Sequence, residues 1–299
     1  MNENTFLEFP LRHSDWKSLL GFYTEAEAMN MIKSQGIPLD SDKEQTLTEQ
    51  IRKAVEYVKS LTGRRTLRPA ITDIPDKDFV DRRKKLEAEP TFREHLVGIH
   101  EHSYAFVEID KLHAFQPNLN IEYIDRLKQT APSPGDIEGL LRFCLPMRDE
   151  LPKSPALGNF NANSNTFTLT SENLDLRIIG AVQGEEPTTG RNFFGFAYGK
   201  GLPQMSVVEY QGMFMIRNGY HRGYALLERG HKSFPCIHLK SDNYNATGAT
   251  GAGFLPIDLM MSDRSALLTD FSSPAAITYP RRLMRVIVSI HAEVQVIPV

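Results

Sequence analysis

The sequence predicts an α+β protein: a mixed sheet with flanking helices, preceded by a helical N-terminal extension and followed by a strand-rich C-terminal segment. Three observations carry that prediction. "TLTEQIRKAVEYVKSLTG" sets Ile51, Val55 and Val58 on one face at helical spacing. "YAFVEIDKL", beginning at Tyr104, alternates and is rich in β-formers. "FFGFAYGKGLPQMSVVEYQGMFMIRNG" reads as strand, turn, strand, turn, strand, with Gln211-Gly212 as the last turn. Helices in the first third and strands through the remainder make the α+β class.

Taken in order, Ala26 to Ile32 is a short amphipathic helix. Thr46 or Thr48 caps the next one, Leu61 continues its stripe, and Gly63 stops it. An apolar stripe of that kind is stable only when buried. Residues 1–100, which hold the single tryptophan Trp16, are therefore expected to pack as a helical layer. Arg82 to Lys85 lie in a stretch dense in both charge signs and read as a solvated helix face. Asn120 is the N-cap candidate for a helix with Ile121, Ile124 and Leu127 on one face, supported by Tyr123. From Ala131 to Asn165 the composition turns to Pro, Gly, Ser and Asn, with a short helix in "IEGLLRFCLPM". "TFTLTSENLDLRIIGAV" resumes strand chemistry, "SFPCIHL" is a short buried strand, and "RLMRVIVSIHAEVQVIPV" is β-branched and partly alternating. The expected division is a helical extension over 1–100, a core over 101–240 with an insertion at about 131–190, and a C-terminal extension over 241–299.

A net charge of −3 over 299 residues provides no global positive field, so sequence-specific duplex DNA binding is not expected. Two cysteines, Cys144 and Cys236, build neither a disulfide framework nor a cysteine-rich zinc site. Cys236, between Pro235 and Ile237, reads as a buried, inert thiol. No apolar run has the length of a membrane span and "MNENTFLEFPLRHSDW" has no signal core, so no membrane partner and a reducing cytoplasm are expected.

The chemistry concentrates in "FMIRNGYHRGYALLERG". An apolar strand runs into Asn218-Gly219, and a helix that Gly230 stops begins there. Free backbone N–H groups and the macrodipole make such a start attractive to an anion. Gly219 permits a sharp turn and close approach, Arg222 offers a bidentate fork, and His221 donates a hydrogen bond or carries a proton. This is a phosphate cradle. The same residues also read as an ordinary turn with a surface arginine and a capping histidine, and the spacing leaves both readings open.

The neighbouring segments resemble the core of the ParB/sulfiredoxin superfamily. Gly201 and Gln204 match its Gly-x-x-Gln-Pro strand opening, in which Met205 replaces the proline. Gly219, His221 and Arg222 match its Gly-x-His-Arg box, Ala225 and Gly230 its following helix, and Phe234 to Ile237 its last strand. Gln116 and Pro117 match the Gln-Pro-Arg turn after the family's opening strand, which here ends in Asn118. The likeness spans roughly residues 105 to 240, interrupted by the insertion. It implies a nucleoside triphosphate, ATP or CTP with magnesium, held by Gln116, Gln204, Asn218, Gly219, Tyr220, His221 and Arg222. His221 and Arg222 would be the catalytic pair of an NTPase or of a nucleotide-dependent switch. The other readings are a non-catalytic module that docks a protein partner or a second copy through its helical N-terminal region, and a nuclease-like member of the superfamily. Tyr220 stands where sulfiredoxins carry their catalytic cysteine, so sulfinic-acid repair is not expected. No helix-turn-helix pattern follows Leu239, so chromosome partition is not expected either.

Other candidates are weaker. "GATGAG" lacks the Lys-Ser/Thr of a phosphate loop. His95, His100 and His102 match no zinc spacing. Glu185 and Glu186 read as solvated loop acids, with a part in holding magnesium as the alternative.

Overall fold

The computed structural model describes residues 12–36, 39–89, 92–150, 157–171, 176–186, 188–200, 204–251, 253–284 and 286–291. The chain is mixed α and β and forms two compact units. The larger comprises Met1–Glu150 and Pro203–Leu283, the smaller Leu151–Leu202 and Met284–Val299.

Strand β1 (His13–Ser18) opens the described chain and carries Trp16. Helix α1 (Glu25–Lys33) follows, closed by a capping box between Thr24 and Glu27. Helix α2 (Ser41–Lys59) starts earlier than Thr46 or Thr48, because the Asp40 carboxylate accepts the Lys43 N–H at 2.8 Å and caps it there. Thr46 and Thr48 instead turn their hydroxyls back onto the carbonyls of Asp42 and Glu44, the option open to a mid-helix threonine. Next come β2 (Ile71–Asp73), α3 (Asp76–Ala88), the single turn α4 (Phe92–His95) and β3 (Glu101–Glu108). Then β4 (Asn118–Asn120) leads into α5 (Ile121–Thr130), which Asn120 caps by accepting the Tyr123 N–H. Ile124 is buried on this helix, whereas Tyr123 is exposed and does not support its inner face. Helix α6 (Ile137–Cys144) is the short helix read in "IEGLLRFCLPM".

The smaller unit contributes β5 (Leu157–Asn161), β6 (Thr166–Ser171), β7 (Leu176–Glu185) and β8 (Asn192–Lys200). The chain then resumes the larger unit with β9 (Ser206–Tyr210), β10 (Met213–Asn218), α7 (Tyr220–Glu228) and β11 (Ser233–Lys240). A one-turn helix α8 (Ile257–Met260) and β12 (Ile277–Arg282) complete that unit, while β13 (Val286–His291) belongs to the smaller one. The C-terminal strand segment thus divides between the two units, and residues 292–299 of that reading lie outside the described residues.

The central sheet of the larger unit runs β10-β9-β11-β3-β2. Gln211 (φ 47°) and Gly212 (φ 75°) join β9 to β10, both positive as a type I′ hairpin turn requires. Strand β11 lies parallel to β9, with α7 as the crossover, and antiparallel to β3 along its whole length. It is buried from Phe234 to Leu239, as expected for a central strand. A second sheet, β12-β1-β4, places a strand where the sequence suggested only helices. "HSDWKS" is short and polar, and its partner strand comes from the far end of the chain, so no local pattern marks it. Helix α2 buries Ile51, Ala54 and Val58, with Ile51 and Ala54 in a cluster shared with Leu20, Ile277 and Tyr279. In the smaller unit β13-β6-β5 form one sheet and β7-β8 a two-stranded ribbon.

Burial of Ile51 sets the anchorage of α2. Ile51→Ala is expected to lower stability by about 2–5 kcal/mol, read as a lower urea midpoint with an unchanged slope.

Candidate functional site

Strand β10 delivers Asn218 and Gly219 to the start of α7. Gly219 takes φ 103° and ψ 22°, the left-handed region, and no side chain caps the helix there. A Cβ at this position would meet Met205 Cγ at 2.6 Å, so the site requires glycine for both conformation and space. The Asn218 amide donates to the Gln204 carbonyl at 3.0 Å and fixes the entry of the chain into the turn. The helix ends at Glu228, and Gly230 follows at φ 84°.

The three box residues after Gly219 each reach a different part of the larger unit. Tyr220 is buried, and the N–H groups of Phe115 and Gln116 point at its hydroxyl, the former at 3.1 Å. Burial pushes that hydroxyl well above the usual tyrosine range. His221 Nε2 accepts the Asn120 N–H at 3.0 Å, so the ring is neutral with its proton on Nδ1. Its ring lies edge-on to Trp16 at 6.5 Å and tilted against Tyr123 at 5.2 Å. Burial, with the Arg222 charge beside it, holds this histidine down at about 4.

Arg222 is where structure and sequence reading part. The sequence suggested an arginine facing an open cradle. Its side chain is instead buried, 8 % exposed, and Nη1 donates to the carbonyls of Phe143 at 3.0 Å and Cys144 at 3.3 Å. Those carbonyls close the last turn of α6, which leaves carbonyls without intrahelical partners and carries the negative end of the dipole. The guanidinium therefore caps a helix C-terminus.

Gln204 is fully buried, and its side-chain amide has no hydrogen-bond partner among the described residues. Gln116 is partly buried between β3 and β4. Gly201 lies outside the described residues. Two residues absent from the sequence reading of this site join it: Trp16 from β1 and Tyr123 from α5. Arg281 stands over the Trp16 ring at 4.8 Å and Arg126 over the Tyr123 ring at 5.7 Å, so two cations flank the ring cluster. Only the assembled sheet β12-β1-β4 brings these residues together, and no sequence spacing announces them.

The His95 carbonyl accepts from Arg217, His100 lies 3.8 Å from Asp242, and His102 lies 3.8 Å from Glu87. Glu185 ends β7 in the smaller unit, and the Glu186 carboxylate accepts from the Thr189 hydroxyl. Among the described residues no group of three or more His, Cys, Asp or Glu is placed to hold a metal ion. Both cysteines are free and buried, and burial pushes the Cys144 thiol up to about 12. His113 Nδ1 and the Ser265 hydroxyl meet at 2.9 Å, but both are buried, and Asp270 spends its carboxylate on Arg64 and the Leu267 N–H. That trio is packing, not a nucleophilic triad.

Comparison of the chain with protein-family models, curated proteins and solved structures finds no match. Among the described residues no helix is long and apolar enough to cross a membrane.

Two outcomes test this geometry. Arg222→Ala is expected to lower stability, since hydrogen bonds from a charged donor contribute about 1.5–3 kcal/mol and the Phe143 carbonyl loses this donor, while the Cys144 carbonyl keeps the Met205 N–H. A melting temperature equal to wild type would contradict the capping role. The second concerns acid. Burial holds His113 and His221 at about 4 in the folded chain, below the ordinary 6.5. The unfolded chain takes up those protons first, so stability is full above about 6.5 and falls as pH drops toward about 4. Urea midpoints measured across that window are expected to decline, and less steeply in His221→Gln.

Proposed function

We propose that this chain is a nucleotide-binding module of ParB/sulfiredoxin type that does not hydrolyse its ligand. The observation that carries the reading is the start of α7, a left-handed glycine that opens a nine-residue helix with no side-chain cap. Backbone N–H groups and the helix dipole at such a start favour phosphate. Three further features support it. The order of β3, the Gln116-Pro117 turn, α5, the β9-β10 hairpin, α7 and β11 is the order that the family resemblance implies. The rings of Trp16, Tyr123 and His221, set edge-on and tilted to one another, stand with Arg126 and Arg281 as an aromatic, cationic cluster that would favour the base and phosphates of a nucleotide. The orphaned Gln204 amide sits in the residue before Met205, which packs beneath Gly219, and a buried amide without a partner costs about 1–3 kcal/mol unless something satisfies it.

Turnover lacks support because the box side chains are already engaged. A histidine held neutral and bonded to a backbone N–H does not donate a proton to a leaving group, and Arg222 is committed to α6. The described residues supply no ready cluster for magnesium. The ion usually arrives with nucleotide phosphates and keeps several waters.

A second reading has its own observation in favour. Because Tyr220, His221 and Arg222 are all bonded to the chain itself, the box serves the fold as it stands, which suits a non-catalytic interaction module.

Thermal shift and calorimetry with ATP, CTP, GTP and UTP, each with magnesium, separate the two. One nucleotide is expected to stabilise the protein by about 2.7 kcal/mol at a hundredfold excess over Kd, without release of phosphate. Gly219→Val is expected to lower both stability and affinity. If no nucleotide binds, the interaction-module reading replaces this one, and phosphate release would reverse the non-hydrolytic part.

A further inference from the structure

The ribbon β7-β8 exposes an unusual amount of aromatic surface. Phe193, Phe194, Phe196 and Tyr198 are 52 %, 66 %, 40 % and 45 % exposed. Phe194, Phe196 and Tyr198 fall on one face by the two-residue period, and the first two rings meet edge to face at 5.2 Å. A two-stranded ribbon is marginally stable by itself and ordinarily needs a further strand or a covering layer.

The two edges of the ribbon differ. Strand β7 carries a register shift between Ile178 and Gly180, the kind of bulge that blunts an edge against pairing. From Asn192 to Gly199 strand β8 has no bulge, no proline and no charge. Among the described residues its outer edge is unpaired. This is the profile of an edge open to another strand.

The sequence of β8 indicates which strand fits. It is close to palindromic about Phe196: Gly195 mirrors Ala197, Phe194 mirrors Tyr198, Phe193 mirrors Gly199 and Asn192 mirrors Lys200. Two copies related by a two-fold axis through Phe196 would set Phe196 opposite its own counterpart and Phe194 opposite Tyr198. Small residues would face small ones, Phe193 would cover Gly199, and no like charges would oppose each other. Cross-strand aromatic pairs are favourable and like-charge pairs are not, so the register selects itself.

We propose that β8 pairs antiparallel with β8 of a second copy of this chain, centred on Phe196, to form a four-stranded sheet with a continuous aromatic face. The bulged β7 edges lie outermost, so the assembly closes as a dimer and does not propagate. The proposal is independent of nucleotide binding and uses a different surface from the helical N-terminal region.

Sedimentation of the full chain is expected to give about twice the 33.8 kDa of one copy. Phe196→Asp would set two carboxylates opposite each other and is expected to return the protein to a monomer. Cysteine scanning reads the register directly. Phe196→Cys is expected to cross-link to a covalent dimer under mild oxidation. Phe194→Cys is not, because the opposed residue is Tyr198 and the two introduced thiols would stand about four residues, roughly 13 Å, apart along the strands. The native Cys144 and Cys236 are buried and give no background. If Phe196→Asp fails to fold, shown by loss of its circular dichroism, the cross-linking pair still decides the matter. A monomeric wild type, a dimer that Phe196→Asp leaves intact, equal cross-linking at both positions, or open-ended polymers would overturn the proposal. So would a monomer that co-sediments with anionic phospholipid vesicles, since the aromatic face would then belong to a lipid surface.

Discussion

The larger unit depends on a buried guanidinium meeting the end of a helix. Burying a charge without compensation costs far more than a typical protein's margin of stability. Arg222 is tolerable in the core because α6 ends against it and directs the carbonyls of Phe143 and Cys144 at its Nη1. The Cys144 carbonyl also accepts the Met205 N–H at 2.8 Å, and Met205 packs beneath Gly219. Gly219 in turn starts the helix that carries Arg222. The contacts therefore close a circuit from α6 through the entry to β9 to the start of α7 and back. Removing any member exposes a cost in another: a charge without carbonyls, carbonyls without a donor, or a glycine without its neighbour.

Tyr220 and His221 extend that circuit outward. One hydroxyl takes up the N–H of Phe115 in the segment between β3 and β4, and one imidazole takes up the N–H of Asn120 where β4 becomes α5. Asn120 is also the cap of α5, so its side chain serves the helix while its N–H is held by the histidine. Such buried backbone groups must find partners somewhere, and here three consecutive side chains supply them. That use has a chemical consequence. A histidine that accepts from a backbone amide is fixed as one tautomer and kept neutral, which removes it as a proton donor. What the helix start retains for a ligand is the backbone itself, the element of the motif that no side-chain bond consumes.

The sequence disclosed features whose cause is local. Asn218-Gly219 announced a left-handed turn at a strand-to-helix junction, Gln211-Gly212 a tight hairpin, Asn120 a cap and Gly230 a stop, because each follows from the allowed backbone of one or two residues. Ile51 and Val58 announced a buried face because the helical period is local too. It concealed features whose cause is a distant partner. Strand β1 is a strand because β12 and β4 flank it, and "HSDWKS" has no alternation of its own. Asp40 outcompeted Thr46 and Thr48 as a cap through a choice among several plausible starts. The target of Arg222 was not legible, because an exposed phosphate ligand and a buried helix end present the same demand to a guanidinium, and only the packing of α6 distinguishes them.

This sharing of residues between fold and site limits which substitutions inform on binding. A ligand that binds only the folded state stabilises it by an amount set by concentration and affinity, so a weakened fold and a lost ligand both appear as a lower melting temperature. At Arg222 and His221 the two effects are inseparable in a single melting curve, because each side chain is bonded to the chain whether or not a ligand is present. Trp16 and Arg281 differ in this respect. Trp16 is only partly buried, and its indole N–H bonds to Ser14 within the same strand, while Arg281 lies on its ring near the surface. Substitutions there perturb the ring cluster and leave the hydrogen bonds of Arg222 to α6 intact. Arg281→Ala should therefore leave the ligand-free melting temperature near wild type while reducing any nucleotide-induced shift. A ligand-free protein that is itself destabilised by several degrees would show that the cluster belongs to the fold and not to a base-binding surface.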